Sequence, residues 1–253
     1  MPVLPPATDQ WIRLYEPAPS ARVRLVCLAH AGGAASYFVP VATGLAPDIE
    51  VLAVQYPGRQ ERLREPLLAS VEELADGIAG ALAAAGAADG RQLALFGHSL
   101  GASVAYEVAR RLEAAGSAPA ALLVSGRRAP TTPRDEQSYL LDRREFIDMI
   151  KALGGTDPRV FEDEDLLDMV LPALRTDYQA ADMYRWTPGP PLSCPLHVLV
   201  GAEDERVTAA EARAWADLTT GSFTFHRFPG GHFYFVEQLP EVLNTIRWAL
   251  RST

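Results

Sequence analysis

Short apolar, β-branched runs alternate with stretches of helical period along most of the chain, and few folds accept that pattern. Residues 22–28, 51–54, 92–96, 121–124, 196–200 and 223–228 read as strands. Between them lie segments of 3.6-residue period. Ser70 and Glu73 open one with a capping-box spacing, and Val71, Leu74, Ile78 and Leu82 recur down its inner face. Residues 102–115 form a second, Thr208 and Glu211 cap a third, and residues 241–250 close the chain. Strands separated by helices pair in parallel, so a mainly parallel, doubly wound α/β sheet is expected. At 253 residues one large domain accommodates it.

Residues 130–188 break the alternation. No strand is legible there, only helical patterns over residues 144–153, 163–170 and 171–184. The block holds 13 acidic and 7 basic residues, so −6 of the net charge of −9 is concentrated in it. An insert between two strands of such a sheet is expected to lie as a lid over the strand ends, the edge at which these sheets bind ligands.

Charge and hydropathy exclude other classes. An acidic chain is a poor nucleic-acid binder. No apolar run approaches the length of a membrane span. Met1-Pro2-Val3-Leu4-Pro5-Pro6 has neither a basic start nor an apolar core, so no secretory leader is expected. Cys27 and Cys194 lack metal-ligand spacing and are expected as buried free thiols of a cytoplasmic protein.

Gly97-His98-Ser99-Leu100-Gly101 stands where a strand passes into a helix, the position of a nucleophile elbow. Side chains at 97 and 101 would collide with the adjoining strand and helix in so sharp a turn. A serine nucleophile needs a base, and the base an orienting carboxylate, in the order Ser, acid, His. His30 and His98 precede the serine; His197 and His226 fall inside strands. His232, in Gly230-Gly231-His232 after the last strand, is left as the base. Asp204 follows the 196–200 strand and is the expected acid, with Glu203 and Glu205 as competitors. Two backbone N–H groups must receive the oxyanion. Leu100 supplies one, and the loop His30-Ala31-Gly32-Gly33 the other, from Ala31 or else Gly32. No G-x-G-x-x-G marks a dinucleotide site.

Six motifs then occur in order: His30-Ala31-Gly32-Gly33, Tyr56-Pro57-Gly58-Arg59, Gly97 to Ala102, Ser125-Gly126-Arg127-Arg128-Ala129-Pro130, Leu174-Arg175-Thr176-Asp177-Tyr178 and Gly230-Gly231-His232-Phe233. Together they resemble the type II thioesterases, free-standing α/β-hydrolases that accompany polyketide and nonribosomal peptide synthases. Leu100, where that family more often has Met, and Thr176, where it often has Ala, are small departures. The resemblance implies hydrolysis of acyl groups from the phosphopantetheine arm of acyl or peptidyl carrier proteins, through an acyl-Ser99 intermediate. It implies neither metal nor organic cofactor, and no nucleic-acid or membrane partner; a monomer is expected.

Arg59, Arg62, Arg64, Arg127 and Arg128 all follow strands at the expected site edge and could form a rim that steers an acidic carrier protein. Three other readings stay open on the residues alone. They are a small-molecule carboxylesterase or perhydrolase, an acyltransferase, and a non-enzymatic binding protein on the same scaffold.

Overall fold

After a two-residue strand at one edge, the chain enters the middle of its sheet, builds outward to that edge, then returns and builds to the other. The computed structural model describes residues 10–86 and 89–251. Residues 1–9, on which the expectation about a leader rests, lie outside the described residues. The strands are β1 (Ile12–Arg13), β2 (Val23–Leu28), β3 (Ile49–Val54), β4 (Gln92–His98), β5 (Ala121–Ser125), β6 (Leu196–Gly201) and β7 (Phe223–Phe228). They form one sheet in the order β1-β3-β2-β4-β5-β6-β7. Only β1 is antiparallel, against β3.

The direction of building reverses between β2 and β4. Right-handed crossovers therefore place helices on both faces. α1 (Val39–Leu45), between β2 and β3, packs against the C-terminal helix on one side. α2 (Val71–Ala84) and α3 (Leu100–Ala114) pack together on the other. Sandwiched in this way, β2, β3 and β5 are almost wholly buried and mainly apolar on both faces, and the charged pair Arg24 and Glu50 meets at 2.8 Å near the strand starts. Ser70 caps α2 by accepting the Glu73 N–H at 3.1 Å. Ligands of such sheets bind where the winding reverses, outside the carboxyl ends of the strands. Leu28 of β2 pairs with Gly97 of β4, so the loop after β2 and the turn after β4 emerge side by side at that point.

Between β5 and β6 the chain forms α4 (Arg143–Leu153) and α5 (Glu164–Met183), with short 3₁₀ turns and no strand among its described residues. Asp142 and Glu145 make a reciprocal capping box, and Gly154, with φ +79°, ends α4. The two patterns read at 163–170 and 171–184 are a single helix. Pro172 lies inside it and removes one backbone donor. The helix continues past it, with Leu167, Leu171 and Leu174 buried along one side. Phe146, Ile150 and Leu174 form a small core of their own, separate from the main one.

α6 (Ala209–Arg213) follows β6, and Thr208 and Glu211 cap it reciprocally. α7 (Tyr234–Glu237) and α8 (Leu239–Arg251) follow β7. His197 and His226 sit on one face of β6 and β7, and both rings meet Trp248 of α8 edge-on. Both cysteines are free and buried. No helix among the described residues is long and apolar enough to cross a membrane.

Candidate active site

Ser99 occupies a backbone conformation that side chains rarely adopt, φ 55° and ψ −115°. Two glycines make the turn possible. A Cβ on Gly97 would stand 2.1 Å from the Gly101 carbonyl oxygen, and one on Gly101 would stand 2.1 Å from that of Leu28. The Ser99 N–H donates to the Ser125 carbonyl at 2.8 Å, pinning the turn to β5. α3 starts at the next residue, so its N-terminal partial positive charge lies beneath the hydroxyl.

His232 reaches Ser99 from the far side of the sheet edge. Its loop can close because residue 201, the last of β6, is glycine: a Cβ there would stand 2.1 Å from the Gly231 carbonyl oxygen. His232 Nε2 lies 3.1 Å from Ser99 Oγ, and His232 Nδ1 lies 2.9 Å from Asp204 Oδ2. The Asp204 carboxylate is shut off from solvent, and its Oδ1 accepts the Arg206 N–H at 2.8 Å. The competing acids are elsewhere. Glu203 is exposed and its carboxylate accepts the Gly230 N–H, steadying the histidine loop, while Glu205 faces solvent.

The loop after β2 is a tight turn closed by a Gly33 N–H to His30 carbonyl bond of 2.9 Å. Gly32 has φ +76°, as the third position of a type II turn requires. The two expected donors differ in this turn. The Gly32 N–H already donates to Asp177 Oδ2 at 2.7 Å. Ala31 and Leu100 line the cavity beside Ser99, and neither N–H has a protein acceptor among the described residues.

His30 and His98 wall the site. The His98 ring is 5.3 Å from that of His232 and 6.0 Å from that of His30. His98 Nδ1 lies 2.9 Å from Ser125 Oγ, which in turn is 2.6 Å from the Tyr234 hydroxyl. Burial, helped by the charge His232 can carry, pushes the His30 imidazole down to about 3 and that of His98 well below its usual range. Both stay neutral near pH 7, so neither ring adds a positive charge that would oppose an imidazolium on His232.

The arginine rim is not formed. Arg59 pairs with Asp177 of α5, and Arg62 pairs with Glu65 and lies 4.3 Å over the Trp11 ring. Arg128 holds Glu136 at 2.9 Å, and Arg127 donates to Ser103 Oγ at 3.1 Å and to the Ala181 carbonyl at 3.0 Å. Arg59, Arg127 and Arg128 are taken up by contacts with the helical insert, and Arg62 by its own loop and Trp11. Arg64 alone of the five is exposed.

The insert covers Ser99. Leu153, Tyr178, Ala181 and Asp182 close over the serine, leaving a cavity of about 30 Å³. That is space for a water molecule, far below the volume of a bound acyl group. A second cavity of about 20 Å³ lies behind Arg127, Arg128, Ala181 and Asp182, which line both. A larger open cleft, about 540 Å³, lies away from the serine among Glu107, Arg110, Arg111 and Arg185.

Comparison with known proteins gives this geometry a context. The thioesterase domain family matches residues 23–250. The chain belongs to the thioesterase domain family. Thioesterase PikA5 of Streptomyces venezuelae is 49% identical over 237 residues, 93% of this chain and 84% of that protein. The structure of BorB, a type II thioesterase from the borrelidin biosynthetic cluster, matches with a TM-score of 0.88 and 49% identity, covering 96% of this chain and 98% of that one. YbtT, a type II thioesterase from the yersiniabactin NRPS/PKS pathway, matches with a TM-score of 0.87 and 31% identity over 96% of this chain and 98% of that one. The protein is thus an α/β-hydrolase and a thioesterase of the type II group.

Sequence reasoning set aside His30 and His98 because they precede the serine, and it gave Asp177 no role beyond its motif. The motifs Tyr56 to Arg59 and Leu174 to Tyr178 did contain the signal. The thioesterase brings Arg59 and Asp177 together across 118 residues of chain.

Proposed function

We propose that this thioesterase hydrolyses acyl groups held as thioesters on the phosphopantetheine arm of acyl or peptidyl carrier domains, clearing or releasing chains for a polyketide or nonribosomal peptide synthase. The observation that carries the reading is the continuous chain Asp204–His232–Ser99, with spacings of 2.9 and 3.1 Å, beneath a helical lid.

Ser99 Oγ attacks the thioester carbonyl carbon as His232 Nε2 takes the hydroxyl proton. Asp204 fixes the proton on Nδ1 and stabilises the imidazolium. The negative oxygen of the tetrahedral intermediate rests on the N–H groups of Ala31 and Leu100. The carbon–sulfur bond then breaks, and His232 returns the proton to the departing sulfur. A thiol of pKa about 8.5 leaves more readily than an alkoxide, so little acid assistance is needed. Water next attacks the acyl-Ser99 ester and gives a proton to His232. Collapse releases the carboxylic acid, and Ser99 recovers its proton. No metal or organic cofactor takes part. The working setting is the cytoplasm, the protein is a monomer, and residues 130–188 are the lid.

Mass-spectrometric assay of an acyl-carrier protein against the matching p-nitrophenyl ester tests the reading. The expected result is a higher kcat/KM for the carrier thioester, free acid as product, and loss of activity and fluorophosphonate labelling in Ser99→Ala. Preference for the simple ester, or transfer to an added alcohol or amine in place of hydrolysis, would overturn it.

A further inference from the structure

Asp177 belongs to the lid helix, yet its carboxylate lies beneath the oxyanion loop and the residue is only 1% exposed. Oδ2 accepts the Gly32 N–H at 2.7 Å and also pairs with the Arg59 guanidinium. One turn earlier on α5, Leu174 packs its side chain where a Cβ of residue 32 would stand. Arg59 is held in turn by the Pro57 carbonyl, at 2.7 Å, and sits over Tyr56, whose hydroxyl donates to the Ala29 carbonyl at 3.2 Å. The motifs around residues 32, 59 and 177 therefore meet at one buried point.

The turn explains the consequence. The Ala31 N–H and the Gly32 N–H belong to neighbouring peptides on either side of the Ala31 Cα, so an anchor on the second limits how far the first can shift. Glycine at the third position lets the turn drift at little cost when that anchor is absent. A carboxylate below the turn holds the Gly32 N–H toward it and repels a rotated peptide that would point the Ala31 carbonyl there. Arg59 cancels the charge of that carboxylate, which would otherwise oppose an oxyanion one residue away.

We propose that Asp177, paired with Arg59, is the positioning residue of the oxyanion hole. It locks the 30–33 turn in its working form only while the lid is docked, so lid closure and completion of the hole are one event. The inference rests on the hydrolytic reading of Ser99 given above. It assigns Asp177 no contact with substrate.

The test uses the full chain with Asp177→Ala, Asp177→Asn, Arg59→Met and the double variant Arg59→Met/Asp177→Asn. Each is assayed for kcat and KM on an acyl-carrier protein, and for inhibition by an alkyl boronic acid that forms a tetrahedral adduct on Ser99. Losing one oxyanion donor costs about 10²–10³ in kcat, so a misaimed one is expected to cost at least about tenfold. Asp177→Ala should lower kcat by that factor with KM within about threefold, and weaken the boronate in parallel. Asp177→Asn, which keeps an acceptor for Gly32, should lose less. Arg59→Met should be worse than the double variant, in which the unpaired carboxylate is also gone. The boronate-to-substrate ratio does not depend on the fraction folded, so it is readable even if a variant is unstable. Unchanged kcat and boronate affinity in Asp177→Ala, a rise in KM alone, or strictly additive Arg59 and Asp177 effects would overturn the inference. Retained activity in Ser99→Ala would instead sink the hydrolytic reading beneath it.

Discussion

Gly101→Ala is a one-carbon change whose effect can be worked from the elbow. The added Cβ would lie 2.1 Å from the Leu28 carbonyl oxygen and 2.6 Å from that of Ala29, where 3.0 Å is the least that real Cβ atoms show. Both obstacles are backbone, and β2 is pinned between β3 and β4 along its length. The start of α3 must therefore retreat by roughly 0.9 Å, the difference between 3.0 and 2.1 Å. Ser99 is the residue that caps this helix, so its Oγ moves with it and the 3.1 Å approach to His232 is lost. A misplacement of about 1 Å at reacting atoms costs up to about 10²-fold in rate, or some 2.7 kcal/mol. Overpacking adds about 1–3 kcal/mol of instability, a Tm drop on the order of 2–12 °C for a chain of this size. Gly80→Ala is the matched control, because nothing lies within 4 Å of its Cβ on α2. It should raise stability by about 0.5–1 kcal/mol and leave kcat/KM alone. Thermal melts and acyl-carrier turnover measure both variants. A Gly101→Ala protein with wild-type Tm and kcat/KM would refute the argument that the elbow has no room.

Two further outcomes follow from buried groups. His30 and His98 are neutral in the folded protein, with pKa values pushed below the 6.5 of a free imidazole, so the unfolded chain binds protons first as the pH falls. Stability is complete above about pH 6.5 and declines below it, reaching a loss of about 2 kcal/mol from the His30 imidazole at pH 5, with His98 acting in the same direction. Denaturant unfolding at pH 7.5 and pH 5 should show this decline, with a shallower slope in His30→Phe; equal slopes would be contrary evidence. Arg127 stands between the two small cavities beside Ser99. Arg127→Ala should join them and raise kcat/KM for an acyl group two carbons longer by about tenfold relative to a short one, at about 0.8 kcal/mol per buried methylene. A chain-length profile of unchanged shape would count against this.

The parts of the molecule legible in sequence are those governed by local chemistry. Strand alternation, the elbow glycines and the caps at Ser70 and Thr208 are written in neighbouring residues. The end of β4 at His98 was missed because Gly97 and His98 carry no strand propensity and are held by pairing to β5. α1 escaped notice because its seven residues, VPVATGL, include Pro and Gly and have no polar face. β1 is two residues long and exists only through its partner β3. The internal use of the arginines was illegible for a related reason: loops adjacent in sequence to strand ends are exposed or buried according to what the insert lays over them. Arg59 and Asp177 are 118 positions apart, and no local pattern relates them.

The separate apolar nucleus of Phe146, Ile150 and Leu174 has a bearing on how such enzymes diverge. Changes to the interior of the insert alter its own cohesion without disturbing the side chains that hold the sheet. Repacking inside the insert can thus reshape the cover over Ser99 while the interior of the sheet stays as it is. Asp177 is the point at which the two remain mechanically joined.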